Sequence, residues 1–368
     1  MVGVMTALTS PGQLAANLPG ILGFYPHDSV IFAAFDCTGT AGRFRLGPVI
    51  RLDIDDMRHL PDITRTIDES GGELVFAFVV TDRDEEEVGE VVDTLLTMVR
   101  TGIMDIHACW IAGEILTGEP VQLAFGPVPE PGEEGWSEAW LDDVIAPVAQ
   151  AQSMGALLEH GMLPDLNREE TFEQFARFNP SFSPVECEQL SEFAHRYSRE
   201  LLRALEQGEE RTWGSFAALS GDIALLLTEI EEQDLTVADL MADEETLLTM
   251  GAALGNATMR DIVVEDVLRR PSPAADLLLA VARTFGGPVR FNALALHALC
   301  ALELKLSMRA IPALSAVLVE DPRHSLTRLL LDACRAGAFD ELLAAVRQGS
   351  VIVRTAHGIT PQLGVEAA

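Results

Sequence analysis

The sequence predicts an α/β domain over residues 1–130, with a mixed, partly parallel sheet and helices, followed by an all-helical domain over residues 131–347. Three observations predict this division. The apolar run Leu74–Val80 is typical of a strand buried on both faces. A helix and a second strand follow it, and this succession favours a parallel pair joined by a right-handed crossover. After Trp136 the apolar residues recur almost only at helical spacing.

The first 70 residues predict a helix, a β-hairpin and a second helix. Ser10-Pro11 is typical of a helix start, with Ser10 as N-cap, and Pro19-Gly20 predicts the end of that helix. Two strands flank a glycine-containing loop, and the second helix is closed by two glycines. The predicted bounds are 11–18, 30–35, 44–54 and 55–70.

The segments after Leu74–Val80 complete the predicted crossover. A helix is predicted over residues 82–100, with an acidic first turn that suits the positive end of the helix dipole. A strand is predicted over residues 103–116. Residues 118–135 are rich in Pro, Gly and Glu and predict a loop.

Helical segments with short connections fill the second domain, which indicates antiparallel neighbours. They are predicted over residues 136–160, 168–178, 184–207, 213–232, 236–254, 261–269, 274–285, 289–306, 310–318, 325–336 and 340–347. The Ala-rich pair that ends at Asp321-Pro322 is typical of a tetratricopeptide-like hairpin, but only one unit and part of a second are visible. A generic helical bundle is the alternative. Residues 348–368 are expected to form a partly disordered tail.

The charge of the chain excludes two classes of partner. The 57 acidic and 25 basic residues give a formal net charge of −32. A protein that binds nucleic acids or anionic membranes needs a concentrated basic surface, so neither is an expected partner. The five widely spaced cysteines and the missing signal-peptide pattern predict a cytoplasmic protein without disulfides.

Two short segments are candidates for a ligand site. His27-Asp28-Ser29 lies in the turn before the first strand, and Asp82-Arg83 follows the buried strand, where ligands bind in open α/β sheets. We predict these five residues as ligand-binding and assign no catalytic residue. The structural alternatives are that Asp28 or Ser29 tightens the turn and that Asp82 caps the next helix.

Cofactor and metal sites are not expected. The chain has no phosphate-binding glycine motif and no nucleophile elbow. His107 with Cys109, and His297 with Cys300, share one strand face and one helix face respectively, but each pair lacks a further local ligand. We interpret both pairs as core residues.

The N-terminal segment carries a family resemblance. Residues 8–14 and the run from Leu18 through Leu-Gly-Phe-Tyr-Pro-His-Asp-Ser to Val30 resemble the opening of an actinobacterial family, domain of unknown function 4192. Met259-Arg260-Asp261 and residues 319–322 are also similar to it. Members often carry an Arg- and Trp-rich stretch with a cysteine near residue 110, and residues 110–126 lack it. The resemblance implies an actinobacterial cytoplasmic protein and no activity.

The sequence therefore favours a non-enzymatic protein-interaction or regulatory module. The α/β half would be a scaffold, and the helical half would bind a protein partner. An enzyme, either a hydrolase or a transferase, with a cleft at the carboxyl ends of the sheet strands is the alternative. A homo-oligomer is the third possibility.

Overall fold

A computed structural model describes residues 8–40, 43–126, 140–207 and 216–358 of the chain. The chain forms two compact units, Met1–Thr171 and Phe172–Ala368. Among the described residues, the first unit contains a sheet with helices and the second contains helices. The predicted fold class, an α/β part followed by a helical part, is confirmed.

Six described strands form one mixed sheet in the order β2-β1-β3-β4-β5-β6. Their bounds are β1 (Ser29–Cys37), β2 (Phe44–Asp53), β3 (Leu74–Val80), β4 (Ala108–Ala112), β5 (Pro120–Phe125) and β6 (Asp142–Val144). Only the pair β3 and β4 is parallel, and the other adjacent pairs are antiparallel. The helix Glu85–Arg100 connects these two parallel strands, which is the predicted crossover. β5 lies where the sequence predicts a loop, because its short length and flanking Pro and Gly hide the strand pattern.

Helices cover both faces of this sheet. They are α1 (Pro11–Leu22), α2 (Leu60–Ser70) and α3 (Glu85–Arg100), and a 3₁₀ segment, Ile54–His59, precedes α2. Side chains alternate along β3, so Phe76 and Phe78 pack with α1 while Val75 and Val79 pack with α2 and α3. This two-sided burial is the reason why β3 is apolar throughout.

Trp110 of β4 fills the centre of the layer beneath α1. It is fully buried, stacks on Phe78 at a ring distance of 5.3 Å and meets the edge of Phe76 at 5.1 Å. Its indole Nε1–H donates a hydrogen bond of 2.9 Å to the carbonyl oxygen of Trp140. The one polar atom of this large side chain is thus satisfied inside the core.

Helix α1 is longer than predicted. Ser10 caps it and Pro11 begins it, as predicted, but Pro19 and Gly20 lie inside the helix, which ends at the left-handed Gly23. A Cβ at Gly20 would lie 2.4 Å from Oγ of Ser153, so the glycine lets the helix approach the 152–154 turn. This packing holds the last turn although proline offers no amide donor.

The segment after residue 140 belongs to the first unit, although the sequence places the start of the helical half at residue 131. Instead of the predicted helix over residues 136–160, its described part contains β6, the 3₁₀ turns Val148–Gln150 and Gln152–Met154, and α4 (Gly155–Glu159). Asp143 accepts a hydrogen bond from the amide of Gly12, and Asn17 accepts one from the amide of Ser153. These long-range bonds to α1 override the local helical spacing.

The described part of the second unit is helical. The helices after α4 are α5 (Arg168–Glu173), α6 (Pro184–Gln207), α7 (Phe216–Gln233), α8 (Val237–Ala242), α9 (Glu244–Leu254), α10 (Ala257–Arg269), α11 (Pro271–Thr284), α12 (Gly287–Glu303), α13 (Ser307–Glu320), α14 (Ser325–Arg335) and α15 (Phe339–Ala356). Helix α12 is buried along most of its length and packs against α11 and α13. The unit therefore has one central helix with its sequence neighbours on its flanks.

Helix α15 contains the first nine residues of the predicted tail. It extends to Ala356, so residues 348–356 are helical, and residues 359–368 lie outside the described part of the chain. Arg354 is 5% exposed and donates to the carbonyl oxygen of Ile262 at 2.9 Å and to Oδ2 of Asp266 at 3.2 Å. This buried pair joins α15 to α10 and holds the last turns of α15 against the second unit.

A single lysine marks the reversal between α12 and α13. Lys305 is the only lysine of the sequence and has a left-handed φ of +63°. Its side chain is 71% exposed, and its Nζ lies 3.5 Å from Oδ1 of Asp340. The reversal thus presents the one lysine amine of the sequence on the surface, beside Asp340.

Candidate functional site

The beginning of β1 and the end of β3 lie side by side. Because the two strands are antiparallel, Ser29 pairs with Val80, and the residues before Ser29 lie next to those after Val80. The two sequence-predicted segments therefore meet at one end of the sheet. The strand-end cluster, as we call it, consists of His27, Asp28, Asp55, Asp82 and Arg83.

Asp28 occupies an uncommon backbone conformation at the centre of this cluster. Its φ is +43°, in the left-handed region that aspartate tolerates better than most residues. Its carboxylate accepts hydrogen bonds from Oγ1 of Thr81 and from Nη2 of Arg83, the latter at 3.2 Å. Partial burial by itself would raise the pKa of Asp28, but the hydrogen bonds from Thr81 and Arg83 and the nearby positive charge hold it below the usual value.

Arg83 joins the carboxylates of the cluster. Its guanidinium pairs with Asp55 through two hydrogen bonds of 2.9 and 3.1 Å, and its Nε lies 3.1 Å from Oδ1 of Asp28 and 3.7 Å from Oε2 of Glu87. The hydrogen bond from Arg83 lowers the pKa of Asp55, and the bonds to Asp55 and Asp28 raise the pKa of Arg83. Arg83 is 23% exposed, so it is a fixed centre rather than a free surface cation.

His27 contacts two carboxylates through opposite ring nitrogens. Its Nε2 lies 3.2 Å from Oδ1 of Asp82, and its Nδ1 lies 3.6 Å from Oδ2 of Asp28. The side chains of His27 and Asp82 are 54% and 71% exposed. This side of the cluster is open to solvent and to a ligand.

Ser29 lies beside the cluster, but its hydroxyl is bonded to a backbone carbonyl and to Arg51. It is fully buried, its Oγ–H donates a hydrogen bond of 2.6 Å to the carbonyl oxygen of His27, and Oγ accepts one of 2.8 Å from Nε of Arg51. Arg51 in turn pairs with Asp53. These bonds fix the turn, and they give Ser29 no contact of the kind that activates a nucleophile.

Two contributors to the cluster region were not found from the sequence. The sequence predicts Asp55 in an α-helix, whereas it lies in a 3₁₀ segment that brings its carboxylate to Arg83. The sequence predicts Arg51 only as part of a strand. The alternation of polar Arg51 and Asp53 at the end of β2 is the signal that could have revealed the contact between Arg51 and Ser29, because β2 pairs with β1.

The helix after β3 begins later than predicted. Asp84, rather than Asp82, is the N-cap of α3, since its side chain accepts hydrogen bonds from the amides of Glu86 and Glu87. The interpretation of Asp82 as the cap is wrong. Its carboxylate is left to contact His27 instead.

A groove in the second unit is a further candidate site. This helical groove lies among α6, α7 and α9 and encloses about 370 Å³. The ring centroids of Phe193 and Tyr197 on α6 are 6.3 Å apart, and Phe193 is 44% exposed. Apolar and acidic side chains line the groove: Phe193, Tyr197, Leu219 and Leu248, together with Asp222, Glu244 and Glu245.

A family model described as domain of unknown function (DUF4192) matches residues 11–341. The chain belongs to this family. The match begins at the first residue of α1 and ends in the first turn of α15, so it covers both units of the DUF4192 chain. No curated protein and no solved structure matches it.

The DUF4192 segment that carries the resemblance contains the structural features of the strand-end cluster. Gly20 allows the close approach of α1, Gly23 ends the helix in a left-handed conformation, and His27 and Asp28 belong to the cluster. The residues of the opening motif therefore form the turn that places the side chains of His27 and Asp28 next to the end of β3.

The cysteines of the two His–Cys pairs of the DUF4192 chain lie in the core, whereas His107 is one-third exposed and its Nε2 lies 3.9 Å from Oδ2 of Asp105. Cys109 and Cys300 are fully buried, and burial raises the pKa of both thiols. Burial also lowers the pKa of His297 to about 4, although its Nδ1–H donates to the carbonyl oxygen of Ala275. His107 accepts a hydrogen bond from the amide of Val75. Within the described ranges, neither pair belongs to a group of three metal-ligating side chains.

No described helix of the DUF4192 chain is long and apolar enough to cross a membrane.

Proposed function

We propose that this chain is a cytoplasmic, non-enzymatic interaction or regulatory module of an actinobacterial cell. In this proposal its helical groove binds a protein segment that combines basic residues with a large apolar side chain. The observation that carries the proposal is the pairing of an apolar floor with acidic side chains in one groove. The free state of all five cysteines supports a reducing compartment.

The apolar floor supports the choice of a protein partner. Phe193 exposes nearly half of its surface although it lies next to Tyr197 and the buried Leu219. Aromatic side chains in a groove between helices are typical anchors for an amphipathic segment. Burying a side chain of the partner here would remove apolar surface of both molecules from water.

The charges around the floor support a basic partner. Glu244 and Glu245 lie exposed in the first turn of α9, and Asp222 is exposed on α7. Arg196 already places its Cζ 5.2 Å from the ring centroid of Phe193, so this ring accepts a cation of the chain itself. A basic segment would be attracted by these three carboxylates and by the net charge of −32.

The test compares matched leucine variants in affinity purification from the native host, with mass spectrometry of the bound proteins. Leu248→Asp places a charge in the groove, whereas Leu225→Asp changes a leucine of α7 that is 69% exposed and outside the groove lining. We expect the wild type and Leu225→Asp to retain the same basic protein, and Leu248→Asp to lose it. Circular dichroism establishes that both variants are folded.

Two further variants show whether the partner binds to the helical groove or to the strand-end cluster. Asp28→Ala and Asp82→Ala are expected to leave partner recovery unchanged. Raising the salt from ~0.1 M to ~0.5 M should weaken recovery, because it screens the acidic rim. If a folded Leu248→Asp protein retains the partner as well as Leu225→Asp does, the helical groove is not the binding surface.

An enzyme is the second candidate, and the contact between His27 and Asp82 favours it. Nε2 of His27 is 3.2 Å from Oδ1 of Asp82, at the carboxyl end of a parallel strand. A histidine held by a carboxylate is suited to general acid–base chemistry in a hydrolase or a transferase. Turnover of an ester, amide or phosphate substrate that is lost in His27→Asn and retained in the exposed-histidine variant His59→Asn would support this function in place of the first.

A further inference from the structure

Among the described residues, one group of three metal-ligating side chains converges, and it lies in the strand-end cluster. His27, Asp28 and Asp82 each offer one ligand atom, and these atoms lie within 4.8 Å of one another. We propose that these three side chains bind one divalent transition-metal ion at the ends of β1 and β3. The proposal departs from the sequence analysis, which expects no metal, and it does not depend on the helical groove.

One of the ligand-atom spacings is that of two ligands on a common metal ion. Two ligands about 2.1 Å from a metal are about 3.0 Å apart at an octahedral angle and about 3.4 Å apart at a tetrahedral angle. The 3.2 Å between Nε2 of His27 and Oδ1 of Asp82 lies between these values. The imidazole of His27 lies between the two aspartates, with Nδ1 toward Asp28 and Nε2 toward Asp82, so a common ion requires the side chains of His27 and Asp82 to rotate toward Asp28. Both side chains are more than half exposed, which permits this rotation.

The chemistry of the ligands selects the class of metal. One imidazole nitrogen and two carboxylate oxygens suit Zn²⁺, Mn²⁺ or Fe²⁺, whereas Mg²⁺ and Ca²⁺ prefer oxygen alone. Three protein ligands on an exposed surface leave coordination positions for water or for a further ligand. The expected site is therefore open rather than structural.

Neighbouring side chains orient the carboxylate of Asp28 as a metal ligand. Thr81 and Arg83 donate hydrogen bonds to its carboxylate, as is usual for carboxylates that bind metals. The positive charge of Arg83 is offset by Asp55 and Glu87, which contact the same guanidinium. The four carboxylates around the site, those of Asp28, Asp55, Asp82 and Glu87, outnumber the one guanidinium of Arg83, and this excess of negative charge attracts a cation.

The test titrates Zn²⁺ into the full chain without an affinity tag, using isothermal calorimetry. Mg²⁺ serves as the comparison ion. The variants are His27→Ala and Asp82→Asn, whose side chains are exposed, and the matched control is His59→Ala. His59 is 53% exposed, and its Nδ1 lies 3.5 Å from Oδ2 of Asp62. Among the described residues, these two side chains belong to no group of three metal-ligating side chains. Co²⁺ absorption reports whether an imidazole and a four- or five-coordinate geometry are present.

We expect one equivalent of Zn²⁺ to bind to the wild type and to His59→Ala, with Mg²⁺ much weaker. His27→Ala and Asp82→Asn should each weaken Zn²⁺ binding by ~10-fold or more, as loss of a ligand requires. Circular dichroism separates this loss from unfolding. Equal Zn²⁺ affinity of the wild type and folded His27→Ala, or binding that His59→Ala reduces as strongly, indicates adventitious surface binding only and overturns the proposal. So does the absence of binding at ~0.1 mM Zn²⁺.

Discussion

Gly12→Ala tests how closely α1 is packed against the sheet. Helix propensity alone predicts that alanine stabilises this position by about 1 kcal/mol. The structure predicts the opposite, because a Cβ at Gly12 would lie 2.0 Å from the carbonyl oxygen of Val144 and 2.8 Å from Oδ2 of Asp143. Ordinary contact begins near 3.4 Å, so α1 and β6 must separate by about 1.4 Å.

Two effects set the magnitude of this destabilisation. Overpacking against a backbone atom costs about 1–3 kcal/mol. The separation also weakens the hydrogen bond of 2.9 Å from the Gly12 amide to Asp143 and that of 3.2 Å from the Ala146 amide to the Gly12 carbonyl oxygen, each contributing about 1 kcal/mol. After the gain in helix propensity, we expect the free energy of unfolding to fall by about 2–4 kcal/mol.

Gly89→Ala is the matched control. Gly89 lies inside α3, and a Cβ there would meet no atom within 4 Å. We expect a gain of about 0.5–1 kcal/mol from it. Urea unfolding followed by tryptophan fluorescence reports mainly on the first unit, since three of the four tryptophans belong to it and Trp110 lies in its core. If both alanines change stability in the same direction by similar amounts, the close contact between α1 and β6 does not exist.

Three further predictions concern charges and caps. The pKa of His297, lowered by burial from 6.5 to about 4, means that the unfolded chain takes up the proton first. The free energy of unfolding should therefore fall by up to about 3 kcal/mol between pH 6.5 and pH 4, and urea titrations of His297→Gln should show a smaller decline. Asp84→Ala should cost about 1 kcal/mol in thermal unfolding because it removes the cap of α3, whereas Asp82→Ala should change the midpoint little. Asp266→Asn should cost about 3 kcal/mol, measured in the same way, because it leaves the charge of the buried Arg354 unpaired; a loss below ~0.5 kcal/mol would contradict that pairing.

The sequence predicted the fold where local pattern and tertiary packing agree. The apolar run Leu74–Val80 is a strand buried on both faces, and α3 follows it as the period of the apolar residues requires. The prediction was wrong over residues 140–160, where the apolar spacing is helical but hydrogen bonds to Gly12 and Asn17 attach the chain to α1. Contacts between residues 131 and 136 positions apart cannot be read from local periodicity.

The cluster was predictable in its parts but not in its geometry. His27, Asp28 and Asp82 were selected because they adjoin strands, and the structure brings them together. Their meeting depends on β1 pairing with β3, and strand order is a property of the whole sheet. Asp55 was missed because a 3₁₀ segment replaces the predicted start of the helix.

Lys305 gives this protein an unusual handle for chemistry. Since it is the only lysine and its ammonium is largely exposed, reagents that acylate amines meet one side chain besides the chain's amino terminus. A dye, a biotin or a resin attached there would sit at one defined point, where α12 turns into α13. Labelling of side-chain amines is accordingly confined to one position without any engineered cysteine, and the amino terminus is the one competing amine.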